Sequence, residues 1–218
     1  MFSQTKFKEM IKIGIDFSLT SPAICVYKNS EYKFISFFND GGKDWKKSKS
    51  KSYRYHNELK DIIEIIPYTR KIDGGDYRNE QKTKMLDALM ITNIIIDKLK
   101  TIIDDDVIIG LEGFSYGSIS SSTLDMAMYN SFLRMKLIEN FGSEVLNIIS
   151  PTEGKKMLFG KGNAKKEDMI QAFINNKLED GELMTSAFWK YCKKNGVDFK
   201  QPKPIDDLVD AYGILKSI

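Results

Sequence analysis

At 218 residues with 42% hydrophobic content, the chain is long enough to bury a core and too apolar to be disordered. No apolar run reaches the length of a membrane span and the start lacks a signal-peptide pattern, so a cytoplasmic protein without a membrane partner is expected. The single histidine, His56, and two distant cysteines, Cys25 and Cys192, argue against a zinc site or a His-dependent nucleophile, while a net charge of +3 names no partner by itself.

Residues 1–10 read as a polar arm. Ile11 to Ile15 is a first strand that runs into Asp16, Ala23 to Tyr27 a second, and Glu31 to Phe38 a third, joined by short turns as an antiparallel meander. Asn39-Asp40-Gly41-Gly42 ends it with turn chemistry. Residues 43–55 carry six basic side chains and one acid, with Trp45, Tyr53 and Tyr55 interleaved. This is either a solvated loop or a phosphate-contacting one whose aromatics stack on bases, using Lys46, Lys47, Lys49 and Lys51. Glu58 to Pro67 is apolar and fits a strand or a short helix. Tyr77 to Ile103 is a long helix with Met85, Leu89, Thr92, Ile96, Leu99 and Ile103 as its inward stripe. Val107 to Glu112 repeats the pattern of the first strand, a buried run ending in a carboxylate. Helix followed by strand makes it a parallel partner of strand one.

Gly113 to Ser122 is a glycine/serine loop holding Phe114 and Tyr116. Leu124 to Phe141 is a helix with an apolar stripe at Leu124, Met128, Phe132, Met135 and Ile138, Val145 to Ile149 a buried strand, Thr152 to Phe159 a helix capped by Thr152, and Lys165 to Asn175 another helix. Glu179 to Lys200 is amphipathic. Ile205 to Ile218 closes the chain as a helix with Asp206, Asp207 and Asp210 in its first turns. The fold class is therefore α/β, with a mixed central sheet (a three-stranded antiparallel meander plus parallel strands) flanked by helices. One domain covers 1–218, with extra segments at 39–76 and 176–203.

Each acid has a plain explanation alone: a strand-end cap, or a favourable place at a helix N-terminus. Together they say more. Asp16 and Glu112 end neighbouring strands, and Asp207 and Asp210, three apart, share a helical face. Four like charges so placed repel unless hard cations sit between them. Two Mg²⁺ ions, or Mn²⁺ in their place, about 4 Å apart, suit the hydrolysis of a phosphodiester. Nothing in the pattern calls for a nucleotide cofactor.

Four pieces carry a resemblance: Ile13-Gly14-Ile15-Asp16-Phe17-Ser18, Ile109-Gly110-Leu111-Glu112-Gly113-Phe114, Gly160-Lys161-Gly162-Asn163-Ala164-Lys165-Lys166-Glu167 and Asp207-Leu208-Val209-Asp210-Ala211. In this order, across nearly the whole chain, they resemble the RuvC-type Holliday junction resolvases of the RNase H-like superfamily, phage-type members in particular. The resemblance implies an RNase H-like fold and a homodimeric endonuclease that cuts four-way junctions or other branched DNA in pairs of nicks. It implies that Asp16, Glu112, Asp207 and Asp210 hold the metals and that Lys166 lies near the scissile phosphate. Lys155 falls on a second functional lysine, and Lys161 and Lys165 join the DNA-binding set. Phe114 and Tyr116 flank Ser115, the position of an aromatic that stacks at the junction; a core role is the alternative for Phe114. The Leu124 to Phe141 helix is the candidate dimer seam or, equally, core. Competing functions are an RNase H-like nuclease preferring flaps, forks, duplex DNA or RNA–DNA hybrids, and a non-catalytic branched-DNA-binding module.

Overall fold

The computed structural model describes residues 10–42, 44, 46, 53–70, 75–114 and 121–218, with only the backbone at 121 and 122. The strands are β1 (Ile11–Asp16), β2 (Ala23–Lys28), β3 (Glu31–Asn39), β4 (Glu64–Tyr68), β5 (Val107–Glu112) and β6 (Leu146–Ile149). They form one sheet in the order β4-β3-β2-β1-β5-β6. β1, β2 and β3 are the antiparallel meander, and β1–β5, β5–β6 and β3–β4 are parallel pairs. The helices are α1 (Arg54–Leu59), α2 (Tyr77–Ile102), α3 (Ser121–Phe141), α4 (Pro151–Phe159), α5 (Lys166–Ile174), α6 (Gly181–Thr185), α7 (Ala187–Asn195) and α8 (Ile205–Leu215). No helix among the described residues is long and apolar enough to cross a membrane.

The period of two along the strands sorts their side chains onto two cores. Ile11, Ile13 and Ile15 of β1 join Ile109 and Leu111 of β5 under α2 and α3, with Ile91, Ile95, Leu133 and Leu137. The alternate positions face α8. There β1 presents Gly14 and Asp16, and β5 presents Gly110 and Glu112. Gly14 and Gly110 are register partners. A Cβ on Gly14 would stand 2.1 Å from the Ala211 carbonyl oxygen and 2.5 Å from the Leu215 nitrogen, and one on Gly110 would stand 2.9 Å from Ile214. Helix α8 thus rests its backbone on the sheet where side chains are missing, a close approach that only glycine permits. Two residues further along each strand, on the same face, stand Asp16 and Glu112. Around α8 a second core gathers Phe34, Leu158, Met169, Phe173, Phe188, Leu208 and Tyr212.

Several sequence expectations shift. Residues 58–67 hold both a helix end and a strand, because Leu59 closes α1 and β4 follows after a short turn. Pro67 is tolerated because β4 lies at the sheet edge. The buried face of α2 is Ala88, Ile91, Thr92, Ile95, Ile96 and Leu99. Met85 is half-exposed, and Leu89 and Ile103 are only partly covered. The stripe is therefore buried in its middle, at Thr92, Ile96 and Leu99, and opens toward its two ends. β6 is the other edge strand, so Ile148 is exposed where a buried strand was expected. Helix α4 is capped by Ser150, whose hydroxyl accepts from the Glu153 N–H at 3.2 Å, with Pro151 in the first turn; Thr152 is already helical. The residue 43–55 segment, read as a loop, ends in the first turn of α1, which contains Arg54 and Tyr55.

A candidate carboxylate centre at the mouth of the sheet

Continuing the β1–β5 register beyond Ile15 and Leu111 sets Asp16 beside Glu112. The second half of α8 is seated on the two glycines through Ala211, Ile214 and Leu215, and its first turns carry Asp207 and Asp210 over the two acids. Asp16 and Asp207 are buried. Burial pushes the Asp16 carboxyl well above the ordinary range, and the charges of Asp207, Glu112 and Asp210 push it further. Burial also raises Glu112, which lies within hydrogen-bonding reach of Asp16 and is partly relieved by that contact and by the charge of Lys155. Asp207 is raised by burial and by Asp206, against the pull of Lys203. Asp210 is raised to about 7 by burial, then by Glu112 and Asp207. All four predicted acids therefore feel one another across three elements, and all four are short of positive charge.

Two lysines reach the cluster. Lys166, at the start of α5, donates to Asp206. Burial disfavours its charged form, but Asp206, Asp207 and Asp210 more than offset that and raise it. Lys203 pairs with Asp207 and stands 3.6 Å from Asp206. Asp206 was assigned no role beyond the helix dipole, and Lys203 none at all. The spacing contains both: Lys203 lies three residues before Asp206 and four before Asp207 at the entry to α8, the offsets that bring side chains together on one helical face. Even so, Oδ1 of Asp206 and Oδ2 of Asp207 are buried without a hydrogen-bond partner among the described residues. A buried acceptor left so is costly and marks a place for an added donor or cation.

The donor set is all carboxylate oxygen, which fits Mg²⁺ or Mn²⁺ and not a softer metal. Among the described residues no three acids already close on one point as a ligand set. The charge and chemistry of the four acids suit such an ion.

The remaining predicted residues spread around this mouth. Lys155 on α4 acts on Glu112 through its charge. Lys161 and Lys165 are exposed on the α4–α5 turn, where the Lys165 N–H bonds Asp168 at 2.9 Å. Phe114 is half-buried, with the Arg134 guanidinium 4.3 Å from its ring centroid, so it packs against α3. Lys46 is exposed. Tyr116, Lys47, Lys49 and Lys51 lie outside the described residues.

No family model matches the sequence, and no curated protein matches it. Among solved structures, Thermus thermophilus RuvC in complex with a Holliday junction substrate matches with a TM-score of 0.51 and 13% identity, over 96% of this chain and 92% of that one. A further T. thermophilus RuvC structure matches at a TM-score of 0.48 and 12% identity, over 95% and 92%. The first match shows the fold: this chain has the mixed α/β, RNase H-like architecture of RuvC.

Proposed function

We propose that the chain is a divalent-metal-dependent endonuclease that cuts branched DNA, four-way junctions foremost. The observation that supports this is the mutual elevation of four carboxylates drawn from β1, β5 and α8, Asp16 and Asp207 buried and Glu112 and Asp210 half-buried. A purely structural acid is surrounded by donors; these are surrounded by each other. Asp16, Glu112, Asp207 and Asp210 would hold two Mg²⁺ or Mn²⁺ ions. When bound, the ions supply Lewis acidity toward a phosphate and lower the pKa of an attacking water.

The chain's own part is to place the substrate. Lys166 and Lys155 flank the acids and offset the phosphate's charge, and Lys161 and Lys165 extend that positive edge along a DNA backbone. A four-way junction has two-fold symmetry, and a homodimer would match it with one centre per cut strand. Leu124, Met135 and Ile138 leave an apolar strip exposed on α3, which fits the seam expected there.

A substrate panel with metal titration tests the reading. End-labelled four-way junction, flap, fork, linear duplex and RNA–DNA hybrid are incubated with Mg²⁺ or Mn²⁺. The expected result is paired nicks in the junction, with 5′-phosphate and 3′-hydroxyl ends. No cutting of any substrate at any metal concentration sinks the nuclease. Faster cutting of hybrid, flap, fork or duplex moves the substrate elsewhere.

A further inference from the structure

A cavity of about 730 Å³ opens beside the carboxylates, within the range of roughly 300–1,000 Å³ typical of small-molecule sites. Much of its wall comes from the two extra segments of the chain, completed by Thr20, Ser21, Phe38, Lys166 and Asp206. Phe38, Tyr53 and His56 line one side, from the end of β3 and the start of α1; Phe199 and Lys200 line the other, from the coil before α8. Phe38 packs 4.0 Å from His56 and meets the edge of Tyr53 at 5.3 Å, centroid to centroid, so the buried Phe38 and His56 back a wall whose open aromatic faces are Tyr53 and, opposite, Phe199. Lys166, Lys203 and Asp206 belong to the same cavity and connect it to the acids.

The composition selects the occupant. A metal ion gains nothing from an aromatic wall, and an apolar ligand gains nothing from three lysines. A nucleotide uses both: its base has π-faces to stack, and its phosphate needs cations. A base inside a duplex cannot enter, because it must first be unpaired and unstacked at a cost of a few kcal/mol. A branch point provides bases already free of that cost.

We propose that this cavity receives one unpaired nucleotide at the branch, its base against the aromatic wall and its phosphate at the lysine rim, where Lys200 is exposed and Lys166 and Lys203 are paired with Asp206 and Asp207. The pocket thereby reads the branch itself and presents the adjoining phosphate to the carboxylates. This rests on the nuclease reading above and names the structural element of DNA that the centre selects.

The test uses four-way junctions carrying a single abasic site, moved one nucleotide at a time through the branch. Affinity is measured by fluorescence anisotropy without divalent metal, so that no strand is cut. The expected result is a loss of roughly fivefold or more at one branch position, the low end of a base–aromatic stack, and no loss in the arms. Phe199→Ala or Tyr53→Ala, each checked for an unchanged melting temperature, should abolish that discrimination, and Phe199→Trp should keep it. Equal affinity for intact and abasic junctions at every position overturns the proposal, as does discrimination that survives both alanine variants. Adding Mg²⁺ to the same junctions separates the two readings. Cutting without discrimination removes the pocket and leaves the nuclease; discrimination without cutting does the reverse.

Discussion

Helix α8 has a buried acidic site at each end, and the two are opposites. At its C-terminal end, Asp180 accepts from the Tyr32 hydroxyl at 2.6 Å, the Tyr212 hydroxyl at 2.9 Å, Lys216 Nζ at 3.1 Å and the Leu183 N–H at 3.0 Å. Burial alone would raise its pKa, but these donors hold it down at about 2. At the N-terminal end, the buried Asp16 and Asp207 and the half-buried Glu112 and Asp210 are gathered together and raised. The two sites share a helix and a desolvated setting and differ in what surrounds the charge. A satisfied acid fastens the fold. A cluster of acids that raise one another costs the fold something, a cost that the proposed cations would relieve.

The largest effect should come from removing charge at the unsatisfied end. Asp16→Asn, Glu112→Gln or Asp210→Asn is expected to lower junction cleavage on the order of 10³-fold, the several kcal/mol of metal assistance forgone. The same variants should bind junctions in a gel shift and melt no lower than the parent, because each removes repulsion. Cleavage undiminished in all three would break the contrast. Next in size is the satisfied end. Asp180→Ala leaves Tyr32, Tyr212 and Lys216 facing an empty buried site and should cost about 3 kcal/mol in urea unfolding. Cleavage per folded molecule should stay within about twofold, since the acids and their lysines are untouched. A stability change near zero would show Asp180 to be as idle as a surface acid.

The smallest effect is a pH dependence of opposite sign at the two ends. The raised carboxylates bind protons in the folded chain that the unfolded chain releases, so their contribution to stability falls as pH rises from about 4 toward 7. Asp180 is lowered, so its contribution is present above about pH 4 and fades as pH falls through about 2. In chelator, the melting temperature should drop between pH 5 and pH 7 by roughly 2–4 °C, the size of an effect of about 1 kcal/mol in a chain this long. Excess Mg²⁺ or Mn²⁺ should remove the drop. A drop unaffected by either ion would assign it to another group.

Much of this contrast is visible in the residue order. Gly-Ile-Asp and Gly-Leu-Glu at 14–16 and 110–112 announce two strands with the same ending, and the i,i+3 acids announce a third contributor. The legible parts are those with a local cause: strand alternation, turn residues and helix entry. The satisfied end was hidden, since Tyr32, Asp180, Tyr212 and Lys216 come from three distant stretches and no spacing joins them. Asp206 and Lys203 were concealed differently. Their spacing is local, yet a helix N-terminus gave Asp206 a sufficient reason to exist. The α3 stripe is the converse case. Leu124, Met135 and Ile138 fit an inward face by period, but the structure buries Tyr129, Leu133 and Leu137 and turns the other three outward. Period identifies faces, and only packing says which one the sheet takes.

The two glycines under α8 carry one more implication. What they clear space for is chiefly main chain: the Ala211 carbonyl and the Leu215 amide lie over Gly14. Side chains can be exchanged to accommodate a neighbour, but a peptide group cannot be trimmed. An alanine at position 14 therefore has no partner substitution that would absorb it, and α8 would have to lift off the sheet, carrying Asp207 and Asp210 away from Asp16 and Glu112. Position 14 acts as a gauge block: it sets the gap between acids it never touches. Much of the surrounding sequence can drift while that gap persists, so long as nothing is added there.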